Sequence, residues 1–187
     1  MSNVNNVFGF LPIGREGGGP WSVVEYAKAA AHTQALFRGD IVGKAAVSVA
    51  SPFAGVPVPG VTSLQNGTPG TTLWLGANLN YGAPATATLQ YITDDPFTVY
   101  MGQGNDNTSI TVAAAVGKNV PFVTGTGNAV TKQSTMSFAG GSLATSISGC
   151  DARVVGMWNR PDNAEGAYAI LEVIIVKHAN AQGSVGV

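Results

Sequence analysis

Charged residues are scarce in this sequence. Only 10% of the 187 residues are Asp, Glu, Lys or Arg, against about 25% in typical soluble domains. No charged residue occurs between Lys44 and Asp94. A free monomer usually keeps its surface soluble with mixed charges, so this neutrality favours a protein whose faces are covered by partners. The alternative is a secreted protein that Ser, Thr, Asn and Gly keep soluble.

Basic clusters, long apolar runs and cysteine pairs are also missing. The nine Lys and Arg residues are spread thinly and the net charge is −1, which disfavours nucleic acid as a partner. No apolar run approaches the roughly 20 residues that span a bilayer, so we expect no membrane partner. Residues 1–12 lack the basic and apolar regions of a signal peptide. The single Cys150 excludes an internal disulfide and suits folding in a reducing cytoplasm.

Residues for catalysis or metal binding do not occur in useful spacings. His32 and His178 are the only histidines, so a zinc signature is missing. No G-x-S-x-G motif occurs, and Cys150 is better explained as a small packed side chain. The adjacent Asp94 and Asp95 would point to opposite faces of a strand and suit a turn. We therefore expect no enzymatic activity, no metal and no cofactor.

Glycine, proline and β-branched residues dominate what is present. The 25 Gly and 10 Pro separate short runs rich in Val, Thr, Ile and aromatic residues, which is typical of strands and turns. Such runs recur at spacings of about 8–12 residues, which predicts an all-β domain over residues 23–178: a single β-sandwich or barrel, jelly-roll-like. Residues 25–37 are rich in Ala and are the one stretch with helical propensity.

The run 168–177 is the strongest predicted strand. Both of its faces are largely apolar, which favours a central or sandwiched position. Glu172 is the one charge inside it, and Arg153 on the preceding strand is its predicted cross-strand partner. The other predicted strands are 23–28, 85–92, 96–101, 109–116, 119–125, 134–138, 143–148 and 151–158.

Three segments lack a clear strand pattern. Residues 1–22 predict an extended N-terminal arm, in which the glycine-rich residues 14–20 form a flexible hinge. Residues 51–72 predict a long loop rich in Gly and Pro, and loops longer than about 12–15 residues are usually functional or mobile. Residues 179–187 predict a flexible tail.

A polar segment, residues 158–166, precedes the apolar run. Pro161 fixes φ, Asp162 and Asn163 favour turn geometry, and Gly166 permits a positive φ. Arg160 can bond carbonyl groups or Asp162. The pattern predicts a structural corner between two strands rather than an active site. The residues of this corner are Trp158, Arg160, Pro161, Asp162, Asn163 and Gly166.

The same corner carries a family resemblance. Residues 154–163, followed by Gly166 and an apolar strand that closes on His178, resemble the head decoration, or cement, proteins of tailed bacteriophages. Residues 51–85 carry no matching motif. The other matching pieces follow the family's order and are GFLP at 9–12, FRGDIV at 37–42, Tyr91-x-x-Asp94-Asp95-Pro96, and VGKN at 116–119.

The resemblance implies a non-enzymatic virion protein, made in the bacterial cytoplasm, that binds the outer surface of an icosahedral head. Its partner would be the major coat protein, whose lattice it stabilises. We also expect a homo-oligomer, with dimer and trimer both open. Residues 1–22 and 51–72 are predicted to contact coat protein or neighbours, and deletion of residues 1–19 is predicted to abolish binding without harming the fold. The candidate contact residues are Phe8, Phe10, Pro12, Trp21, Phe53 and Trp74.

A different class of function is compatible with the same pattern. A carbohydrate-binding or host-attachment β-sandwich of a phage tail would use exposed aromatic rings such as Trp21, Trp74 and Tyr81. The contrary interpretation places these rings in the core or in an interface between proteins.

Overall fold

Short antiparallel strands make up most of the chain, which confirms the predicted all-β class. The computed structural model describes residues 3–30, 32–44, 49–50, 57–58, 61–63, 73–105 and 109–181, with side chains for 3–30, 32–43, 73–105 and 109–181. Phe53 and most of the predicted loop 51–72 lie outside the described residues.

The strands are β1 Leu11–Arg15, β2 Val23–Lys28, β3 Ile41–Lys44, β4 Val49–Ala50, β5 Pro57–Val58, β6 Val61–Ser63, β7 Trp74–Ala77, β8 Thr88–Thr93, β9 Thr98–Gln103, β10 Asn119–Val120, β11 Phe122–Val123, β12 Ser137–Phe138, β13 Ala152–Met157 and β14 Ile170–Ile175. Helical structure in the described ranges is limited to α1 Val112–Ala115 and a 3-10 turn, Gly140–Ser142. None of the helices described there has the length and apolar character to cross a membrane.

Five antiparallel strands form the central sheet, in the order β1-β9-β14-β13-β10. Side chains alternate between the two faces of each strand, so Tyr100, Val173 and Val154 point inward and are fully buried. Rings from other parts of the chain fill this core: the ring centroids of Phe10 and Phe122 lie 4.8 Å apart.

A second sheet, β6-β3-β7, separates two apolar clusters. Ile41 and Trp74 face the main core, whereas Val42 and Leu75 pack with Ile92 in a smaller cluster beneath the β2–β8 ribbon. β7 and β8 approach so closely that a Cβ on Gly76 would lie 1.8 Å from the Thr93 carbonyl oxygen. The result is a layered β-sandwich in which the central sheet keeps one face outside the main core.

The N-terminal segment, predicted as an extended arm over residues 1–22, is part of this sandwich. β1 pairs with β9 at the edge of the central sheet. Phe10 has no exposed surface, and its N–H donates to the Gly39 carbonyl at 2.8 Å. A Cβ on Gly9 would meet Gly39 at 2.7 Å. Deletion of residues 1–19 would remove a strand and a core ring, so it would not leave the fold intact.

Elsewhere too, the secondary structure differs from the one that local propensity predicts. Residues 25–28 form no helix, because the six residues of β2 pair in register with β8, and pairing overrides helical propensity. The predicted strand 109–116 contains α1 instead, whose first turn is capped by Thr111 Oγ1, the acceptor for Ala114 N–H at 3.3 Å. The predicted strand 143–148 contributes one isolated bridge, from Ala144.

Two boundary predictions are corrected as well. The segment 51–72 is not a loop throughout, since β5 pairs with β4 and β6 pairs with β3. The first residues of the predicted tail are hydrogen-bonded to the sandwich. Ala179 N–H donates to the Trp74 carbonyl at 2.6 Å, and Asn180 Nδ2 donates to Asp94 Oδ1 at 2.6 Å.

Candidate interaction surface

Asn163 holds the corner between β13 and β14. Its Nδ2 donates to the carbonyls of Trp158 at 2.7 Å and Ile170 at 2.8 Å. Its Oδ1 accepts the Ile170 N–H at 2.9 Å. One buried side chain therefore joins the end of the first strand to the start of the second.

The other corner residues have smaller structural roles. The Arg160–Asp162 ion pair, 3.0 Å long, has both side chains more than half exposed, so it contributes little stability. Pro161 is exposed in the turn. Gly166, with φ of 141°, exchanges both backbone hydrogen bonds with Ile110. Trp158 is half-buried, and its Nε1 has no hydrogen-bond partner among the described residues.

Two amide side chains attach the N-terminal strap, residues 3–8, to this corner. Asn3 Nδ2 donates to the carbonyls of Ala164 and Ala167, both at 2.8 Å, and its Oδ1 accepts the Ala164 N–H at 2.9 Å. Gln103 Nε2 donates to the Val4 carbonyl at 2.8 Å. The sequence alone gave no signal for these contacts, because they join residues far apart in the chain.

A cavity of about 440 Å³ lies between the strap and the corner. Phe8 and Tyr168 contribute aromatic rings to its wall, and Asn6, Arg160 and Asp162 contribute polar groups. Tyr168 has a φ of 57°, which is uncommon for a bulky residue and points to backbone strain.

The outward face of the central sheet carries a row of side chains that crosses four strands. Met101 on β9 lies beside Leu11 on β1 and Glu172 on β14, and Glu172 lies beside Gly156 on β13. All four are half-buried. We call this row, Leu11, Met101, Glu172 and Gly156, the cross groove.

Both sides of the cross groove are covered. The strap lies over one side, at the end of the outward face that carries Gln103 and Ile170. On the other side Arg153 Nη2 approaches Glu16 Oε1 at 3.7 Å. Since β14 and β9 lie between β13 and β1, this pair spans the face over Ile174, whose exposure is only 6%.

At the β1 edge the cross groove opens into a hollow of about 350 Å³. Leu11 and Met101 belong to both features. The remaining lining residues are Pro12, Trp21, Arg38 and Leu79. The hollow therefore adds a pocket, lined by apolar residues and Arg38, to the end of the groove.

The candidate contact residues divide into two groups. Pro12 and Trp21 line the hollow, and Phe8 belongs to the strap. Phe10 and Trp74 are completely buried, so the prediction that they contact a partner is wrong. Their rings are held in the core: Trp74 Nε1, for example, donates to Asp151 Oδ1 at 2.8 Å.

Glu172 is the one carboxylate in the cross groove. Its predicted partner Arg153 lies opposite Ile174 instead, and the residue opposite Glu172 is Gly156. Glu172 forms no ion pair among the described residues. Burial raises the pKa of its carboxyl group, as expected for a charge among apolar neighbours.

The described residues contain no group of three or more His, Cys, Asp or Glu side chains that could hold a metal ion. His178 is buried, with its Nε2 atom 3.7 Å from Asp94 Oδ1, and burial raises the pKa of the Cys150 thiol. A comparison with protein-family models, with curated proteins and with solved structures finds no match to this chain.

Proposed function

We propose that this chain is a non-enzymatic structural protein of a tailed-phage virion, which binds the outer surface of the icosahedral head and cements the lattice of the major coat protein. The observation that carries the proposal is that four of the motifs behind the family resemblance contact one another in two pairs. Phe10 N–H bonds the Gly39 carbonyl at 2.8 Å. Gly117 N–H bonds the Val154 carbonyl at 2.9 Å, and Val154 N–H bonds the Lys118 carbonyl at 2.8 Å.

These contacts support the resemblance. Motifs that are distant in sequence share backbone hydrogen bonds, as expected of motifs that one fold maintains together. A rigid β-sandwich with few surface charges suits a protein that is wedged between neighbouring subunits.

The physical effect would come from many copies. Each bound copy stabilises the assembled state by mass action. A homo-oligomer, dimer or trimer, engages several coat subunits at once, so interfaces of roughly 1,200–2,000 Å² suffice.

The experiment that tests the proposal is reconstitution on shells. Heads purified from particles that lack this chain are mixed with the purified protein and sedimented. We expect saturable binding at a simple ratio to the coat protein and a higher melting temperature of the decorated shells. Absence of binding at micromolar concentrations would overturn the proposal.

A carbohydrate-binding module of the phage tail is the second candidate. The cavity between strap and corner favours it, because Phe8 and Tyr168 line it together with the Asn6 side chain. Of the rings first considered for sugar binding, Trp74 is buried and Tyr81 has Lys132 Nζ 4.4 Å from its centroid. A glycan array without hits would remove this candidate.

A further inference from the structure

We propose that the cross groove receives an extended segment of the coat protein, which lays apolar side chains on the groove and places one Lys or Arg beside Glu172. This inference rests on the proposed function and names one contact through which the head is bound.

The floor of the groove suits a close-lying backbone. Leu11 and Met101 provide apolar surface, and Gly156 leaves room for the Glu172 side chain. A Cβ on Gly156 would lie 3.0 Å from Glu172 Oε2, so the carboxylate lies over this glycine. A peptide chain can therefore meet the carboxylate above β13 while its apolar side chains rest on β1 and β9.

The charge in the groove specifies the partner's chemistry. Glu172 lies between apolar side chains without an ion pair in the described part of the chain. Covering it with an apolar surface would bury an uncompensated carboxylate, which is costly. A segment that brings one cation avoids this cost, and complementary charge also fixes the segment's register.

The dimensions favour an extended segment over a second copy of this chain. Four strands at a spacing of about 4.8 Å give a groove of roughly 14 Å, which holds about four extended residues. Its sides are occupied by the strap and by the Arg153–Glu16 pair, so a second flat sheet would not reach the floor. One row also offers far less than the roughly 800 Å² per partner of a standard interface.

The hollow at the β1 edge supplies an anchor point. An apolar side chain of the bound segment would enter it next to Trp21, and buried aromatic residues often dominate binding energy. The repeated lattice then multiplies a weak single contact through avidity.

The test compares charge variants of the full chain for binding to undecorated shells, by sedimentation over a concentration series. We expect Glu172→Gln to bind about tenfold more weakly and Glu172→Lys at least a hundredfold more weakly, because the second change repels the incoming cation. Glu25→Lys is the matched control: it makes the same charge change at an exposed position of β2. It is expected to bind like the wild type.

A second variant tests the apolar floor of the groove instead of Glu172. Met101→Asp places a carboxylate on the floor without altering the core and is expected to abolish binding. Circular dichroism and thermal unfolding confirm that each variant is folded.

The outcomes separate the two proposals. If the wild type does not bind shells, the proposed function fails and this inference fails with it. If the wild type binds and folded Glu172→Lys and Met101→Asp bind equally well, this inference alone is overturned. If these variants instead convert an oligomer to a monomer in solution, a second copy occupies the groove and the coat segment is contradicted.

Discussion

Trp74 and Asp151, both completely buried, are joined by a hydrogen bond of 2.8 Å from the indole Nε1 to Oδ1. The other carboxylate oxygen of Asp151 accepts the Phe122 N–H at 2.9 Å. One side chain thus connects β7, β11 and the start of β13 at the centre of the core.

This connection predicts a large stability loss on truncation. Asp151→Ala leaves two buried donors without acceptors, and each costs about 1–3 kcal/mol. We expect the free energy of unfolding in urea to fall by about 2–5 kcal/mol. Asp162→Ala, at an exposed position, is the control and should change it by less than about 0.5 kcal/mol. Equal effects of the two changes would contradict the assigned role of Asp151.

The corner predicts a second stability effect. Asn163→Ala removes three hydrogen bonds that join Trp158 and Ile170, so we expect a loss of about 1–3 kcal/mol in unfolding free energy. Arg160→Ala removes an exposed ion pair from the same turn and is expected to cost under about 1 kcal/mol. Chemical denaturation of both variants measures the difference, and a larger loss for Arg160→Ala would refute the assignment.

His178 predicts a dependence of stability on pH. Burial lowers the pKa of its imidazole, although Asp94 and Asp95 act in the opposite direction. In the unfolded protein the imidazole has a pKa of about 6.5. As the pH falls, it is therefore protonated at a higher pH in the unfolded protein than in the folded one. The contribution of His178 is complete above about pH 6.5 and is lost as the pH falls below that value.

The measurement is the unfolding free energy of the wild type relative to His178→Asn, from pH 8 to pH 5. Asn keeps an acceptor near Asn180 N–H, which His178 Nδ1 accepts at 3.1 Å. The difference between the two proteins is needed because Asp40 has the opposite effect on stability. Burial raises the pKa of Asp40 to about 6, so its protonation favours the folded state as the pH falls. A pH-independent difference would contradict the prediction.

Two deletions separate the strap from the strand that follows it. Removal of residues 1–8 keeps Phe10 and β1, so we expect cooperative thermal unfolding to survive at a lower midpoint. Removal of residues 1–19 takes away both, and we expect cooperativity to be lost. The shorter deletion also uncovers one side of the cross groove and should change affinity for shells. Identical melting curves for the two deletions would show that β1 is dispensable.

Regular periodicity made parts of the fold predictable. The alternating patterns of residues 151–158 and 168–177 correspond to β13 and β14, and 23–28 corresponds to β2. The apolar outward face of β14 was also visible in the sequence. The sequence did not show that this face is part of the cross groove, because only the sheet order reveals that Met101 and Leu11 extend the same row.

Features set by tertiary contacts were not predictable. The strand register places Arg153 opposite Ile174 and not opposite Glu172, and nothing in the sequence marks that register. The sequence is equally compatible with exposed and with buried positions for the rings of Phe10 and Trp74 until their contacts in the fold are known. The attachment of Asn3 to Ala164 spans almost the whole chain, which places it beyond any local pattern.

The number of copies of this chain per virus particle tests the proposed cementing function most directly. Quantitative mass spectrometry of purified particles gives this number relative to the major coat protein. We expect a ratio near one or a simple fraction of one, as a position on the head lattice requires. A handful of copies per particle, or none, would contradict a cementing function.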